Sequence, residues 1–285
     1  METSGKTRLL CLLGHPVAHS KSPAMHNTSC EKLGLDYKYL AFDVDSDNVG
    51  DVVKGLRIMN CAGFNLTMPL KESVIPYLDG LSDAARLANS VNTVVNENGK
   101  FIGYTTDGIG YLDSVHDAGV DTTDFTMTLL GAGGAASSIM VAAALHGFKE
   151  IRVFKRKNQT FDKTVSFCAN IEKETGCKFT VIDFADEEAL KKSIATSNLL
   201  TNATNVGMGD DKSTPVKKEY LHKDLIVSEI IYNPPVTTLM ADAMDVGCKV
   251  VSGKYMLLFQ GAAGFKKWTG YDMPIDYIKE KVFSN

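Results

Sequence analysis

The sequence predicts an α/β fold made of two α/β domains, and three observations carry that prediction. Short apolar runs alternate with helix-patterned stretches along nearly the whole chain. A glycine-rich loop at 131–136 stands directly between an apolar run and an alanine-rich stretch. An Asn98-Gly99 pair separates two strand-like runs and marks one antiparallel hairpin, because both residues accept positive φ.

Taken in order, the first half reads as strands at 8–13, 37–44, 63–68, 90–95 and 100–104, with the third closed by Pro69. Helical patterns lie between them at 23–32, 46–58 and 71–77. Ser22 before Pro23 has the makings of a helix N-cap followed by proline at the first helical position. The second half opens with a strand at 126–130, then the glycine loop, then a helix at 135–146 with Gly147 suited to its C-terminal cap. Strands at 151–154, 180–183, 199–204 and 225–229 continue the alternation, and the tail from 253 is helical again. The expected domains are 1–110, completed by 254–285, and 111–253.

Composition narrows the function classes. The chain has 285 residues, 44% hydrophobic and 22% charged, with a net charge of -4 and both signs scattered. No basic face is implied, so nucleic acid is not an expected partner. No apolar run reaches the roughly 18 residues of a membrane span, and the first ten residues carry Glu2, Lys6 and Arg8 rather than a signal-peptide core. The six cysteines form no C-x-x-C pair and no zinc spacing, so no metal is expected. Free thiols in a reducing cytoplasm are the simplest reading of them.

The glycine loop is the first motif with chemistry in it. Gly131, Gly133 and Ala136 fit G-x-G-x-x-G/A between a strand and a helix. The first glycine makes the tight turn, the second lets backbone N–H groups reach a pyrophosphate, and the small third residue lets helix and strand pack closely. The helix N-terminus then offers its positive dipole end to the phosphates. The loop, Gly131, Ala132, Gly133, Gly134 and Ala135, therefore marks a Rossmann-type dinucleotide-binding domain. At the end of the next strand an NAD site usually carries an acid for the ribose hydroxyl. Here the run is Lys155-Arg156-Lys157-Asn158, with no acid until Asp162. Cations suit a 2′-phosphate, which favours NADP over NAD. A solvated loop charge run is the alternative.

Three polar clusters lie outside this unit: residues 15–23 after the first strand, Asn65 to Lys71 after the third, and Asn92-Thr93 with Thr105-Thr106-Asp107 around the hairpin. Taken singly, a lysine is usually a solvated charge, and an aspartate before glycine is usually a turn. Together the clusters resemble the shikimate dehydrogenase family. The matching stretches are GHPVAHSKSP at 14–23, NLTMPLK at 65–71, SVNT at 90–93, TDG at 106–108, GAGGA at 131–135, NATNVGM at 202–208, YNP at 232–234 and YMLLFQGA at 255–262, in family order from one end to the other. The spacing is most similar to the quinate/shikimate dehydrogenase branch.

The resemblance implies roles at the matching positions. Lys71 and Asp107 would be the acid/base pair. Ser20, Ser22 and Tyr232 would hold the substrate carboxylate, and Asn65, Thr67, Asn92 and Gln260, with Asp107, the ring hydroxyls. Thr204, Asn205 and Gly253 would join the glycine loop, Lys155, Arg156 and Asn158 around the cofactor. It also implies a small-molecule substrate of the shikimate or quinate class, a place in the shikimate pathway, an active site in the cleft between domains, and room for a homodimer. The chain departs from the family at Thr105, where asparagine is usual, at Asn89-Ser90 before Val91, and at Lys155. Asn158 stands where quinate-capable members carry aspartate. Alternatives are a dehydrogenase of another cyclic hydroxy acid, or a non-catalytic ligand or cofactor sensor on the same scaffold. Retention of both Lys71 and Asp107 argues against the sensor, since binding alone needs no acid/base pair.

Overall fold

The computed structural model describes residues 3–284. In chain order the strands are β1 (Arg8–Gly14), β2 (Tyr37–Asp43), β3 (Gly63–Leu66), β4 (Gly80–Leu81), β5 (Thr93–Glu97), β6 (Lys100–Tyr104), β7 (Thr126–Leu130), β8 (Glu150–Lys155), β9 (Lys178–Asp183), β10 (Leu199–Asn202), β11 (Ile226–Glu229) and β12 (Lys249–Ser252). The α-helices are α1 (Ser22–Leu33), α2 (Val49–Ile58), α3 (Leu70–Ser73), α4 (Asp83–Ala88), α5 (Asp107–Asp117), α6 (Gly134–Leu145), α7 (Phe161–Thr175), α8 (Glu187–Ala195), α9 (Thr238–Val246), α10 (Lys254–Thr269) and α11 (Ile275–Val282). The chain divides into two compact units, Met1–Gly110 with Leu258–Asn285, and Tyr111–Leu257. No helix among the described residues is long and apolar enough to cross a membrane.

The first unit is a mixed sheet in the order β2-β1-β3-β5-β6-β4. β1 pairs in parallel with β2 and β3, while β5 runs antiparallel to both β3 and β6. Asn98 and Gly99 make the β5–β6 turn at φ 55° and 89°, as expected for this pair. The period-two alternation of β1 builds two cores. Cys11 and Leu13 face a cluster with Val49, Val53 and Leu56 of α2, while Leu10 and Leu12 face a second cluster with Tyr39 and Trp268. Trp268 ties α10 to this sheet: its indole N–H donates to Val94 O at 2.8 Å. Gly63 is needed beneath it, because a Cβ there would sit 2.3 Å from the indole nitrogen.

The second unit is a six-stranded sheet, β12-β11-β10-β7-β8-β9, with every pair parallel. Counted from β7 the order is 3-2-1-4-5-6, the dinucleotide-binding arrangement, and its switch point lies between β7 and β10. Helix α6 forms from an alanine-rich run, a strong helix former, and stops before Gly147 at φ 92°. Leu130, Phe154, Leu200 and Val227 of four neighbouring strands pack with Leu190 and Ile194 of α8 and Leu239 and Ala243 of α9.

Several boundaries differ from the sequence expectation, each for a local reason. Ser22 is the first residue of α1 rather than its cap; Lys21 takes the cap position and no side chain caps the helix. The helix expected over 71–77 is only α3 plus a 3₁₀ turn at Ile75–Tyr77, because Pro76 lacks the N–H that an α-helix would use. β3 ends at Leu66, before Pro69, and Thr67 O instead accepts the Leu70 N–H to start the turn. β10 ends at Asn202, whose side chain accepts the Thr204 N–H at 3.1 Å and turns the chain away from the sheet. All six cysteines are free and buried.

Candidate active site

The polar side chains of the first unit converge at the ends of β3, β5 and β6. Lys71 sits in the short helix α3 that follows β3. Its backbone carbonyl accepts the Val91 N–H at 2.8 Å, which anchors the segment beside the 90–93 stretch. The Lys71 ammonium donates to Asp107 Oδ2 at 2.6 Å. The lysine side chain is 28% exposed and the aspartate 11%, so the pair is sheltered yet reachable from one side. Asp107 opens α5, where a carboxylate is favoured by the helix dipole.

Asn92 lies behind the pair. Its Nδ2 donates to Asp107 Oδ1 at 2.7 Å and to Gln260 Oε1 at 3.2 Å. Its Oδ1 accepts the Thr106 N–H at 2.7 Å and the Thr106 and Thr93 hydroxyls at 3.2 Å each. Both Asn92 donors are therefore used, one of them to hold Asp107 in direction. Gln260 belongs to α10, which comes close to α5 because Gly110 has no side chain: a Cβ there would lie 2.3 Å from Gln260 N.

Asn65 is 4% exposed at the end of β3. Its amide donates to Asn92 O at 2.9 Å and to the Thr93 hydroxyl at 3.0 Å, and it accepts from the Tyr39 phenol at 2.8 Å. A lone pair on Oδ1 is what it retains for a ligand. Tyr39 was not singled out by the sequence, yet its phenol is what orients the Asn65 amide oxygen. Burial pushes the Tyr39 phenol well up, so it stays a neutral donor. Ser20 accepts the Ser22 N–H at 3.2 Å, which leaves the Ser20 hydroxyl hydrogen to donate. Thr67 is half-buried beside Gly14, where a Cβ would meet its methyl at 2.2 Å.

The second unit holds the other expected residues. Gly131 has φ 99°, and a Cβ there would lie 2.7 Å from Ala203 O, so the loops after β7 and β10 touch at the switch point. Nothing lies within 4 Å of a Cβ at Gly133 or Gly134, and both are exposed at the N-terminus of α6, with Ala132 and Ala135 half-buried around them. Close loop approach, an open glycine edge and a helix N-terminus together fit a pyrophosphate. Arg156, at the end of β8, is exposed and makes no hydrogen bond or ion pair with the described residues. Lys155 donates to the Thr160 hydroxyl at 2.7 Å, and Asn158 Oδ1 accepts the Thr160 N–H at 3.1 Å and hydroxyl at 3.0 Å. Asn158 is thus engaged in the turn before α7, while Arg156 and Lys157, both exposed, make no side-chain hydrogen bond or ion pair with the described residues.

Thr204 donates its hydroxyl to Asn202 Oδ1 at 2.7 Å, and Asn205 beside it is exposed. Gly253 lies against the 229–230 backbone, with a Cβ position 2.3 Å from Ile230 O. Tyr232, 49% exposed, stands just past β11. Two buried residues to which the sequence assigned no role sit under these loops: Asn202, the first residue of the 202–208 stretch, and Glu229, both fully buried. Glu229 carried a weak signal, a single acid in a strand run that is apolar but for Ser228.

Comparison with known proteins places the chain in a family. A family model described as the shikimate dehydrogenase substrate binding domain matches residues 12–94, and one described as the shikimate 5'-dehydrogenase C-terminal domain matches 255–283. The chain is 46% identical to a shikimate dehydrogenase (NADP(+)) of Alkaliphilus metalliredigens, over 99% of this chain and 98% of that one. It is 40% identical to a quinate/shikimate dehydrogenase of Escherichia coli, over 98% of each. The crystal structure of shikimate 5-dehydrogenase from Listeria monocytogenes in complex with shikimate and NAD superimposes with a TM-score of 0.96, at 45% identity and 98% coverage of both chains. With such identity sustained over nearly its full length, the chain belongs to the shikimate dehydrogenase family.

Proposed function

We propose that this chain is an NAD(P)-dependent oxidoreductase that interconverts shikimate and 3-dehydroshikimate, with NADP preferred over NAD and quinate as a second substrate. The observation that carries the reading is the Lys71–Asp107 pair at 2.6 Å, held from behind by Asn92. A lysine and a carboxylate in direct contact, partly open on one side, can move a proton to and from an alcohol.

The bound nicotinamide supplies the hydride acceptor for oxidation and the donor for reduction. The chain's own part is the proton. In oxidation Lys71 first releases a proton to solvent and its amine then takes the hydroxyl proton from the carbinol; in reduction its ammonium returns a proton to the carbonyl oxygen as that oxygen gains charge. Asp107 keeps the amine aimed and has its own rotation fixed by Asn92. The ring hydroxyls meet Thr67, the Gln260 side chain and the remaining acceptor position on Asn65, while Asn92 reaches substrate only by exchanging one of its present partners. Neutral hydroxyls and amides suit a polyol, since each substrate OH missing from such a site leaves a buried group unpaired. Ser20 and Ser22, with Tyr232, are assigned to the carboxylate.

The glycine loop with Thr204, Asn205 and Gly253 is assigned to the dinucleotide, and Lys155 and Arg156 to a 2′-phosphate, with Asn158 shaping their turn. Residues 1–110 with the C-terminal helices form the substrate-binding part, and 111–253 the dinucleotide-binding part. Six free thiols support a cytoplasmic setting for the reaction, within the shikimate pathway. Initial rates of NADP⁺ and NAD⁺ reduction, with shikimate and quinate supplied separately, test the reading. The highest kcat/KM is expected for shikimate with NADP⁺. Absence of shikimate-dependent reduction of either cofactor would remove it.

A further inference from the structure

Glu229 ends β11 with its carboxylate fully buried and no cation among its hydrogen-bond partners. Four contacts from three groups converge on it. Asn202 Nδ2 donates to both oxygens at 3.1 and 3.0 Å, the Ile231 N–H to Oε1 at 3.1 Å, and the Thr237 hydroxyl to Oε2 at 3.0 Å. Burial raises its pKa and these donors oppose that rise. An isolated buried carboxylate is costly, and only donors fixed in place can keep one.

Each donor belongs to a different stretch of chain. Asn202 ends β10, and its Oδ1 in turn accepts the Thr204 N–H at 3.1 Å and the Thr204 hydroxyl at 2.7 Å. The Thr204 hydroxyl accepts the Val206 N–H at 3.1 Å, and Asn202 Nδ2 also reaches Val206 O at 3.3 Å. One relay thus runs from Glu229 through Asn202 and Thr204 to Val206, and it shapes the 203–207 loop whose Ala203 carbonyl lies against Gly131. On the other side, Ile231 starts the stretch that carries Tyr232, and Thr237 caps α9 by accepting the Met240 N–H. Gly253 rests on the carbonyls of Glu229 and Ile230.

We propose that Glu229 is a positioning residue for cofactor binding: its carboxylate sets the 203–207 loop through Asn202 and so holds Thr204 and Asn205 where the dinucleotide needs them. This rests on the reading that those two residues meet the cofactor. The carboxylate is required because all its partners donate. An amide at 229 with its nitrogen at the Oε1 position would face the Ile231 N–H and Asn202 Nδ2, and with its nitrogen at Oε2 it would reverse the Thr237 bond and keep only one of the two Asn202 contacts, so either orientation loosens the hold on Asn202.

The experiment compares NADPH affinity, read by fluorescence titration of the full chain, for wild type, Glu229→Gln, and the pair Asn202→Asp with Glu229→Gln. The pair restores the 202–229 hydrogen bond, because the carboxylate moves to 202 and the glutamine donates to it, and it gives up only the longer contact from 202 to Val206 O at 3.3 Å. Thermal unfolding fixes a temperature at which each protein is folded. Glu229→Gln is expected to weaken NADPH roughly tenfold or more, the scale of a lost hydrogen bond to a charged group, and the pair to recover most of that loss. Glu229→Gln within twofold of wild type while folded, with only its melting temperature lowered, would overturn the proposal and leave Glu229 a purely structural acid. If Glu229→Gln does not fold, the pair carries the test, with affinity near wild type supporting the relay and a tenfold loss overturning it. Because affinity is read without turnover, a wild-type chain that binds NADPH but does not oxidise shikimate overturns the proposed reaction and not the role of Glu229. A wild-type chain that binds neither NADPH nor NADH overturns both.

Discussion

Asp107 and Glu229 are both buried carboxylates at the edge of an expected ligand site, and they are built in opposite ways. Asp107 begins a helix, keeps 11% of its side chain open and shares its charge with the Lys71 ammonium. Glu229 ends a strand, is sealed completely and meets only neutral donors. The difference sorts their uses. A carboxylate that touches a cation and is reachable from outside can take part in proton movement, whereas one enclosed by an amide, a hydroxyl and a backbone N–H can only hold shape.

The largest effect that can break this contrast is at Lys71. Lys71→Ala should lower kcat for shikimate oxidation about 100-fold or more, the usual scale for an acid/base group, with a smaller change in substrate KM. Steady-state kinetics at saturating NADP⁺ checks it, and near-normal turnover would take the lysine out of the mechanism. Next is Arg156, an exposed and unengaged cation of the second unit. Arg156→Ala should raise the NADP⁺ KM roughly tenfold or more by loss of a charge-assisted contact and leave the NAD⁺ KM nearly unchanged. Equal effects on both cofactors would mean that the guanidinium does not read the 2′-phosphate.

A smaller effect extends the comparison to a third enclosed group. His26 in α1 is fully buried, its ring nitrogens have no hydrogen-bond partner, and its ring stacks on Tyr39 at 4.4 Å with Phe265 and Trp268 close by. Burial lowers its pKa from 6.5 to about 3. The fold therefore holds His26 neutral while the unfolded chain takes up a proton as pH falls. Stability from this source is full above pH about 6.5 and drains by about 1.4 kcal/mol per pH unit below it. Denaturant midpoints of wild type and His26→Phe at pH 7.5, 6 and 5 should show a shallower fall for the variant. Parallel slopes would mean that other groups set the acid limit.

What could be read in advance follows from how far apart the interacting residues lie. The Asn98-Gly99 hairpin and the strand–glycine loop–helix unit are local, so the strands at Lys100–Tyr104 and Thr126–Leu130 emerge as expected. The two-residue β4 and the edge strand β12 are too short, or too weakly patterned, to stand out. Lys71 and Asp107 are 36 residues apart, and spacing alone gave each an ordinary surface or turn role; only the ordered set of motifs joined them. Glu229, Asn202 and Tyr39 were passed over because their partners are 27 residues away for the first two, and 26 residues away for Tyr39 and Asn65. In the sequence Glu229 and Tyr39 are simply a polar and an aromatic residue within a strand, and Asn202 opens a matching stretch without a role of its own.

The account stands most directly on Lys71 and Asp107 working as one unit, and a double-mutant cycle measures that. Lys71→Ala, Asp107→Asn and the double variant are compared in kcat for shikimate oxidation with NADP⁺, each shown folded by thermal unfolding. Groups that act together are not additive. The double variant should be no slower than the slower single variant, within about threefold. A double variant whose loss equals the product of the two single losses would show the lysine and the aspartate acting independently, and would contradict the pair as the centre of the chemistry.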